Sequence, residues 1–192
     1  MFFVIAGLLF ALTPEQQAVV VKAAHDVEGV PYDLGGRLQK ERGLDCQGLV
    51  FYALQPIARC GWRSWSVMPT TSVKGELGLP VPELSPIAAG DVGKKLALLQ
   101  PGDVLWFIDP AENPAEPSLT VLDGKPHWVW HTGRYVGDGH FVVGDHFAGK
   151  VVDEVLADYV VAHYAGVFVT RMGDGPKAHG KCRAHAPMTK AP

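Results

Sequence analysis

The chain opens on an unbroken apolar run over residues 1–12 and then switches to helical spacing. Thr13-Pro14-Glu15-Gln16 is a helix start. Thr13 can cap, Pro14 suits the first helical position, and Gln16 closes a capping box. The spacing predicts a helix to Glu28 that stops at Gly29, with Val20, Ala24 and Val27 as its apolar stripe and Ala23 beside them. A turn-rich stretch containing Gly35-Gly36 leads to a second helix, predicted from Cys46 to Arg59. Leu49, Val50, Ala53, Leu54 and Ile57 give it a core face, and Pro56 is expected to kink or shorten its last turn.

Further along, the pattern changes to strands. Residues 62–93 read as loop, broken by Pro69, Pro80, Pro82 and Pro86, with one short helix near Ser72–Leu77. Gln100-Pro101-Gly102-Asp103 is a turn, and Val104–Ile108 reads as a buried strand. Residues 109–126 are expected to be a proline-containing surface loop. Strands at 128–136 and 140–143 should join at Gly137-Asp138-Gly139, since Asp-Gly between β-prone runs favours a hairpin. Two more strands are predicted at 150–153 and 163–170, and residues 172–192 lack periodicity and read as a flexible tail. Helices followed by strands define an α+β domain on an antiparallel sheet. The expected organisation is a signal-like segment at 1–12, one domain at 13–171 and the tail.

Composition narrows the partners. The charged fraction of 19% and the apolar fraction of 47% fit a folded core rather than disorder. A net charge of -3 argues against nucleic acid or an anionic membrane as partner. The first apolar run is too short to span a bilayer. Its length suits the core of a secretory signal with cleavage after Ala11, although no Lys or Arg precedes it. A buried first element and a misassigned start are the alternatives. Cys46, Cys60 and Cys182 are odd in number, so at least one cannot pair within the chain. Either Cys60 pairs with Cys182 in an oxidising compartment or all three are reduced thiols.

Cys46 carries the candidate chemistry. It stands at the first turn of the second helix, where unpaired N–H groups and the helix dipole favour thiolate over thiol. His131, at the head of a predicted strand, is the candidate base, and a thiol with an imidazole is the minimum for a thiol hydrolase. Asp45 can cap the helix. His127 and His131 lie four apart, but the intervening Trp-Val-Trp lacks a metalloprotease glutamate, so no metal is expected there. His179, Cys182 and His185 belong to the tail and read as solvated, as does Arg134, which alternates to the face opposite His131. Trp106, Trp128 and Trp130 read as core or groove wall.

Five segments in order resemble the NlpC/P60 family of papain-like cell-wall cysteine peptidases. They are Pro31-Tyr32-Asp33-Leu34-Gly35-Gly36, Asp45-Cys46-Gln47-Gly48-Leu49-Val50, Pro69-Thr70-Thr71-Ser72, Gln100-Pro101-Gly102-Asp103-Val104-Leu105-Trp106-Phe107, and His131-Thr132-Gly133-Arg134-Tyr135-Val136-Gly137-Asp138-Gly139. The resemblance covers about Pro31 to Thr170 and implies a papain-like α+β fold, with N-terminal helices packed on a small antiparallel sheet. Two positions depart from it. Gln47 stands where the family has Ser after the nucleophile. The orienting third residue should fall at Val143, which cannot accept a hydrogen bond from imidazole. Asp145, two residues on, shares its face in a regular strand. His146 would reach only through a bulge at Gly144, and a dyad without a protein orienter is the remaining alternative.

The resemblance implies amide hydrolysis through an acyl-enzyme. Cys46 would be the nucleophile, His131 the base and acid, and Asp145 or His146 the orienter. The Cys46 backbone N–H and the Tyr32 hydroxyl are candidates to stabilise the oxyanion or bind substrate, with Gln47 lining the site. Tyr32 could equally pack over the Gly35-Gly36 turn. The implied substrate is the peptide stem of peptidoglycan and the implied location secreted or periplasmic in a bacterium, with no cofactor and no stable membrane insertion after processing. Some relatives are toxins, which would add an immunity protein as partner. A non-catalytic wall-binding module and a hydrolase of non-wall amides or esters are the competing readings.

Overall fold

The structure, a computed structural model, describes residues 12–36, 42–58 and 77–172. Cys60 and Cys182, the helix expected near Ser72, the Pro69–Ser72 segment, residues 1–11 and residues 173–192 lie outside the described residues. Leu12 and Met172, at the two ends, are both buried in the core.

Helix α1 spans Pro14–His25. Its capping box forms as the sequence predicts: Gln16 N–H donates to Thr13 Oγ1 at 3.3 Å and Thr13 N–H to Gln16 Oε1 at 3.0 Å. The helix ends three residues before Glu28. The chain turns there so that Gly29, at φ 79°, can donate its N–H to the Val151 carbonyl at 2.9 Å. Helix α2 spans Cys46–Ala58 and continues through Pro56. Leu49, Val50, Ala53 and Leu54 are fully buried, so packing outweighs the one backbone bond that Pro56 removes.

The strands are β1 (Leu79–Pro80), β2 (Ile87–Ala88), β3 (Val104–Asp109), β4 (Thr120–Leu122), β5 (Lys125–Gly137), β6 (His140–Asp145), β7 (Lys150–Val155) and β8 (Gly166–Arg171). They form one antiparallel sheet in the order β1-β8-β3-β5-β6-β7, with β2 on β8 and β4 on β5. A short α3 (Val92–Lys95) precedes β3, and α4 (Leu156–His163) lies between β7 and β8. The sheet is covered on both faces. Val104, Trp106 and Ile108 of β3 join the core under α1 and α2, while Leu105 and Phe107 join a second core with Tyr135, Phe141, Val143 and α4. Two covered faces explain why β3 reads as a continuous apolar run.

The structure corrects several expectations, among them that residues 62–93 are loop apart from one short helix, since β1 and β2 lie there. Residues 109–126 are not all loop: β4 pairs with the start of β5 through Asp123-Gly124, both at positive φ. Residues 156–162, to which the sequence assigns no element, form α4 together with His163, and its buried Leu156, Tyr159 and Val160 follow helical spacing. Accordingly His163 ends that helix, and β8 begins only at Gly166. The predicted hairpin at Asp138-Gly139 is present, with both residues at positive φ. Among the described residues no helix is long and apolar enough to cross a membrane.

Candidate active site

Cys46 is the first residue of α2 and half-buried. Two contacts fix that helix start. The Asp45 carboxylate accepts the Gly48 N–H at 2.6 Å, which caps the helix, and the Gly35 N–H at 3.0 Å, which ties the helix to the approach segment. Backbone approaches this start from two sides. A Cβ on Gly48 would lie 2.1 Å from the Gly36 carbonyl oxygen, and one on Gly144 would lie 2.9 Å from the Asp45 carbonyl group and 3.2 Å from the Cys46 nitrogen. Glycine at 144 therefore lets β6 press directly against the residue that carries the thiol.

His131 sits on β5 and is 3% exposed. Its ring lies 5.9 Å from that of Phe107, 6.1 Å from Tyr164 with the planes 15° apart, and 5.5 Å edge-on from His146. Its Nε2 is buried and has no hydrogen-bond partner among the described residues. Burial, above all, lowers its pKa to about 4; His146 and His163 act in the same direction and Asp145 in the opposite one. The imidazole is thus neutral near neutral pH.

Asp145 ends β6 and is 3% exposed. Its carboxylate accepts the Phe147 N–H at 3.1 Å, the Ala148 N–H at 3.0 Å and the Tyr159 hydroxyl at 3.1 Å. A ring nitrogen of His131, a carboxylate oxygen of Asp145 and a ring nitrogen of His146 all lie within 4.8 Å of one another. Val143 is packed in the second core beside Phe141, and Asp145 is the next residue on its face. The β6–β7 register is unbroken from His140 to Asp145. His146 therefore reaches the cluster from the turn beyond the strand, with no bulge at Gly144. That side chain is 45% exposed, and its Nδ1 is 4.0 Å from Asp145 Oδ1.

Other residues named from the sequence fall around this cluster. The Tyr32 ring is 6.2 Å from that of His146, and its backbone bridges to Leu44 beside Asp45. Gln47 is buried next to Cys46. The residues missed are Tyr159, Tyr164 and His163, all from α4 and its exit. Burial, then the nearby Cys46 sulfur, raise the Tyr164 pKa while its ring stacks on His131. Tyr164 is accordingly a neighbour of both groups. The helical spacing of Leu156, Tyr159 and Val160 is the signal that could have located these tyrosines.

Arg134 is a correction. It does alternate away from His131, but α2 covers that face. The side chain is 0% exposed and donates to the Gly102 and Val50 carbonyls at 2.8 and 3.0 Å. His127 is buried, with Nδ1 donating to the Lys125 carbonyl at 2.9 Å. Trp106 belongs to the core, whereas Trp130 is 46% exposed.

Chemically, the site offers a thiol at a helix start, a neutral imidazole able to take a proton, and a buried carboxylate behind it. The His131, Asp145 and His146 atoms are also close enough to grip a cation, but three donors already hold the carboxylate oxygens of Asp145.

Several solved structures share the fold. The peptidoglycan hydrolase RipB from Mycobacterium tuberculosis matches with a TM-score of 0.53 at 23% identity over 83% of this chain and 65% of its own. NlpC1 from Trichomonas vaginalis matches with 0.53 at 19% identity over 84% of this chain and 45% of its own. A lipoprotein-like NLP/P60 family protein from Staphylococcus aureus matches with 0.53 at 18% identity over 82% of this chain and 42% of its own. This chain thus spans less than two thirds of the length of each. No protein-family model matches the sequence, and no curated protein matches it. The architecture is an α+β fold, and it is the fold these NlpC/P60 structures share.

Proposed function

We propose that the protein is a cysteine hydrolase that cleaves amide bonds in the peptide stems of peptidoglycan and acts outside the bacterial cytoplasm, in the periplasm or after secretion. One observation supports this reading above the others. Gly144, on the strand that ends at Asp145, packs against the backbone of Asp45 and Cys46, and the Asp145 carboxylate and a His131 ring nitrogen lie within 4.8 Å of each other.

In this reading Cys46 attacks the amide carbonyl as His131 takes its proton. Burial keeps His131 neutral, so its imidazole is able to accept a proton. The proton moves as the carbon–sulfur bond forms. The imidazolium then protonates the leaving amine, and the neutral ring activates the water that hydrolyses the thioester. Asp145 holds the imidazole orientation and stabilises its charged form in each half-reaction. The Cys46 N–H and the Tyr32 hydroxyl serve the oxyanion or the substrate, and Gln47 lines the wall.

The test is incubation with defined muropeptides and mass spectrometry of the products. New amine termini that disappear with Cys46→Ala, in a variant of unchanged circular dichroism, support the proposal. Intact muropeptides alongside retained sacculus binding would make the protein a non-catalytic wall-binding module. Turnover of simple esters or amides with none of muropeptides would move the substrate off the wall.

A further inference from the structure

A second group of ligating side chains stands at the opposite end of β6. His25 is the last residue of α1, Glu28 lies in the turn that follows, and Asp153 comes from β7. The His25 Nδ1, a Glu28 carboxylate oxygen and an Asp153 carboxylate oxygen all lie within 4.8 Å of one another. His25 Nδ1 is 2.5 Å from Glu28 Oε1 and 3.9 Å from Asp153 Oδ2. His140, the first residue of β6, places its Nδ1 2.8 Å from the other Asp153 oxygen. Asp145 lies five residue steps along the strand from His140, roughly 17 Å of extended chain, so this group is distinct from the site around Cys46.

We infer that His25, Glu28 and Asp153 form a binding site for a divalent transition-metal cation such as Zn²⁺, with His140 positioning Asp153. One imidazole and two carboxylates are ligands such a cation accepts, and three protein ligands leave a position for water. The atoms come from two separate places in the chain, the end of α1 and β7, and their spacing needs only small side-chain adjustments to meet around one ion. His140 supplies the outer hydrogen bond that commonly fixes a ligating group in metal sites. The anchoring backbone is already set. Gly29 N–H donates to the Val151 carbonyl and Val151 N–H to the Val30 carbonyl, at 2.9 and 2.8 Å, which holds the end of α1 on β7. A bound cation would brace that junction. Without the metal, the same atoms make half-exposed polar contacts, which add little stability.

The experiment titrates the full chain with Zn²⁺ alone, in the His146→Ala background so that the His131–Asp145–His146 group is broken. Calorimetry is paired with thermal melting. The expected result is one equivalent of Zn²⁺ that raises Tm and is lost when His25→Ala is added. His140→Ala should keep the equivalent but weaken it by about 10- to 100-fold. Zn²⁺ titrations and melting shifts that are the same with and without His25→Ala would overturn the assignment. So would the absence of any Tm rise in the parent.

Discussion

Tyr159 donates its phenolic hydrogen to Oδ1 of Asp145 at 3.1 Å. The bond links α4 to the end of β6 and helps hold the carboxylate beside His131. Burial and the neighbouring Tyr164 and Asp145 raise the Tyr159 pKa, so it remains a donor at working pH. Tyr159→Phe keeps the ring and deletes the donor. In the proposed mechanism it should lower kcat several-fold with KM little changed, because Asp145 is repositioned rather than removed. A hydrogen bond to a charged group is worth about 1.5–3 kcal/mol, and the variant should lose stability on that scale in urea unfolding. Unchanged kcat would make Tyr159 purely structural.

Asp145 and His146 compete for the role of orienter, and burial separates them. Asp145 is 3% exposed and accepts three hydrogen bonds, whereas the His146 side chain is 45% exposed. A locked group can hold an imidazole in one tautomer; a half-exposed ring is a weaker constraint. Asp145→Asn should lower kcat by about two orders of magnitude or more, by analogy with the orienting carboxylate of other triads. His146→Ala should change kcat by less than about threefold and act mainly on KM, since the residue lies at the rim beside Tyr32. The reverse ranking would assign orientation to His146.

Much of this was legible in the sequence, and the gaps have physical reasons. Thr13–Gln16, the α2 core face and the Asp138-Gly139 hairpin carry local signals strong enough to read alone. Asp123-Gly124 carries the same hairpin signal, but its first strand is only three residues long and sits among prolines that suggest loop. Helix α4 is short and rich in valine, so its spacing competes with a strand reading. Arg134 was legible as to face but not as to burial. Its side chain is inside because α2 lies over that face, a long-range fact that strand alternation does not contain. The close approach of Gly144 to the backbone of Asp45 and Cys46 is long-range in the same way.

The depressed His131 pKa has a stability consequence with a definite sign. In the unfolded chain the imidazole titrates near 6.5, and in the fold at about 4. Between those values the unfolded state binds more protons, so unfolding is favoured as pH falls. The contribution is fully present above about pH 6.5 and is lost progressively down to about pH 4. A shift of this size corresponds to about 3 kcal/mol. Urea unfolding of wild type and His131→Gln from pH 4 to 7 should show a steeper rise in wild type, the difference between the curves changing by up to that amount. Parallel curves would mean that His131 titrates normally in the folded protein.

Gly48 is the position where the thiol's support should be least tolerant. It lies two residues after Cys46, inside the first turn of α2, with the Gly36 carbonyl 2.1 Å from where a Cβ would stand and the Asp45 Oδ1 at 3.2 Å. Its N–H is also the donor that Asp45 accepts. Helix propensity alone would make Gly48→Ala stabilising by about 1 kcal/mol. The close backbone contact reverses that sign, because the carbonyl of Gly36 is held by the Asp45 N–H at 3.1 Å and cannot swing away without breaking the approach segment. Overpacking of this kind typically costs about 1–3 kcal/mol. Gly48→Ala should therefore lower stability and change the alkylation rate of Cys46, since the approach segment and helix start must move apart. Gly90→Ala is a fitting control, as among the described residues nothing lies within 4 Å of a Cβ built there. It should leave both the urea midpoint and the iodoacetamide rate near wild type. If Gly48→Ala behaves like that control, the loop and helix are not in contact at this point, and the geometry proposed for the thiol loses its anchor.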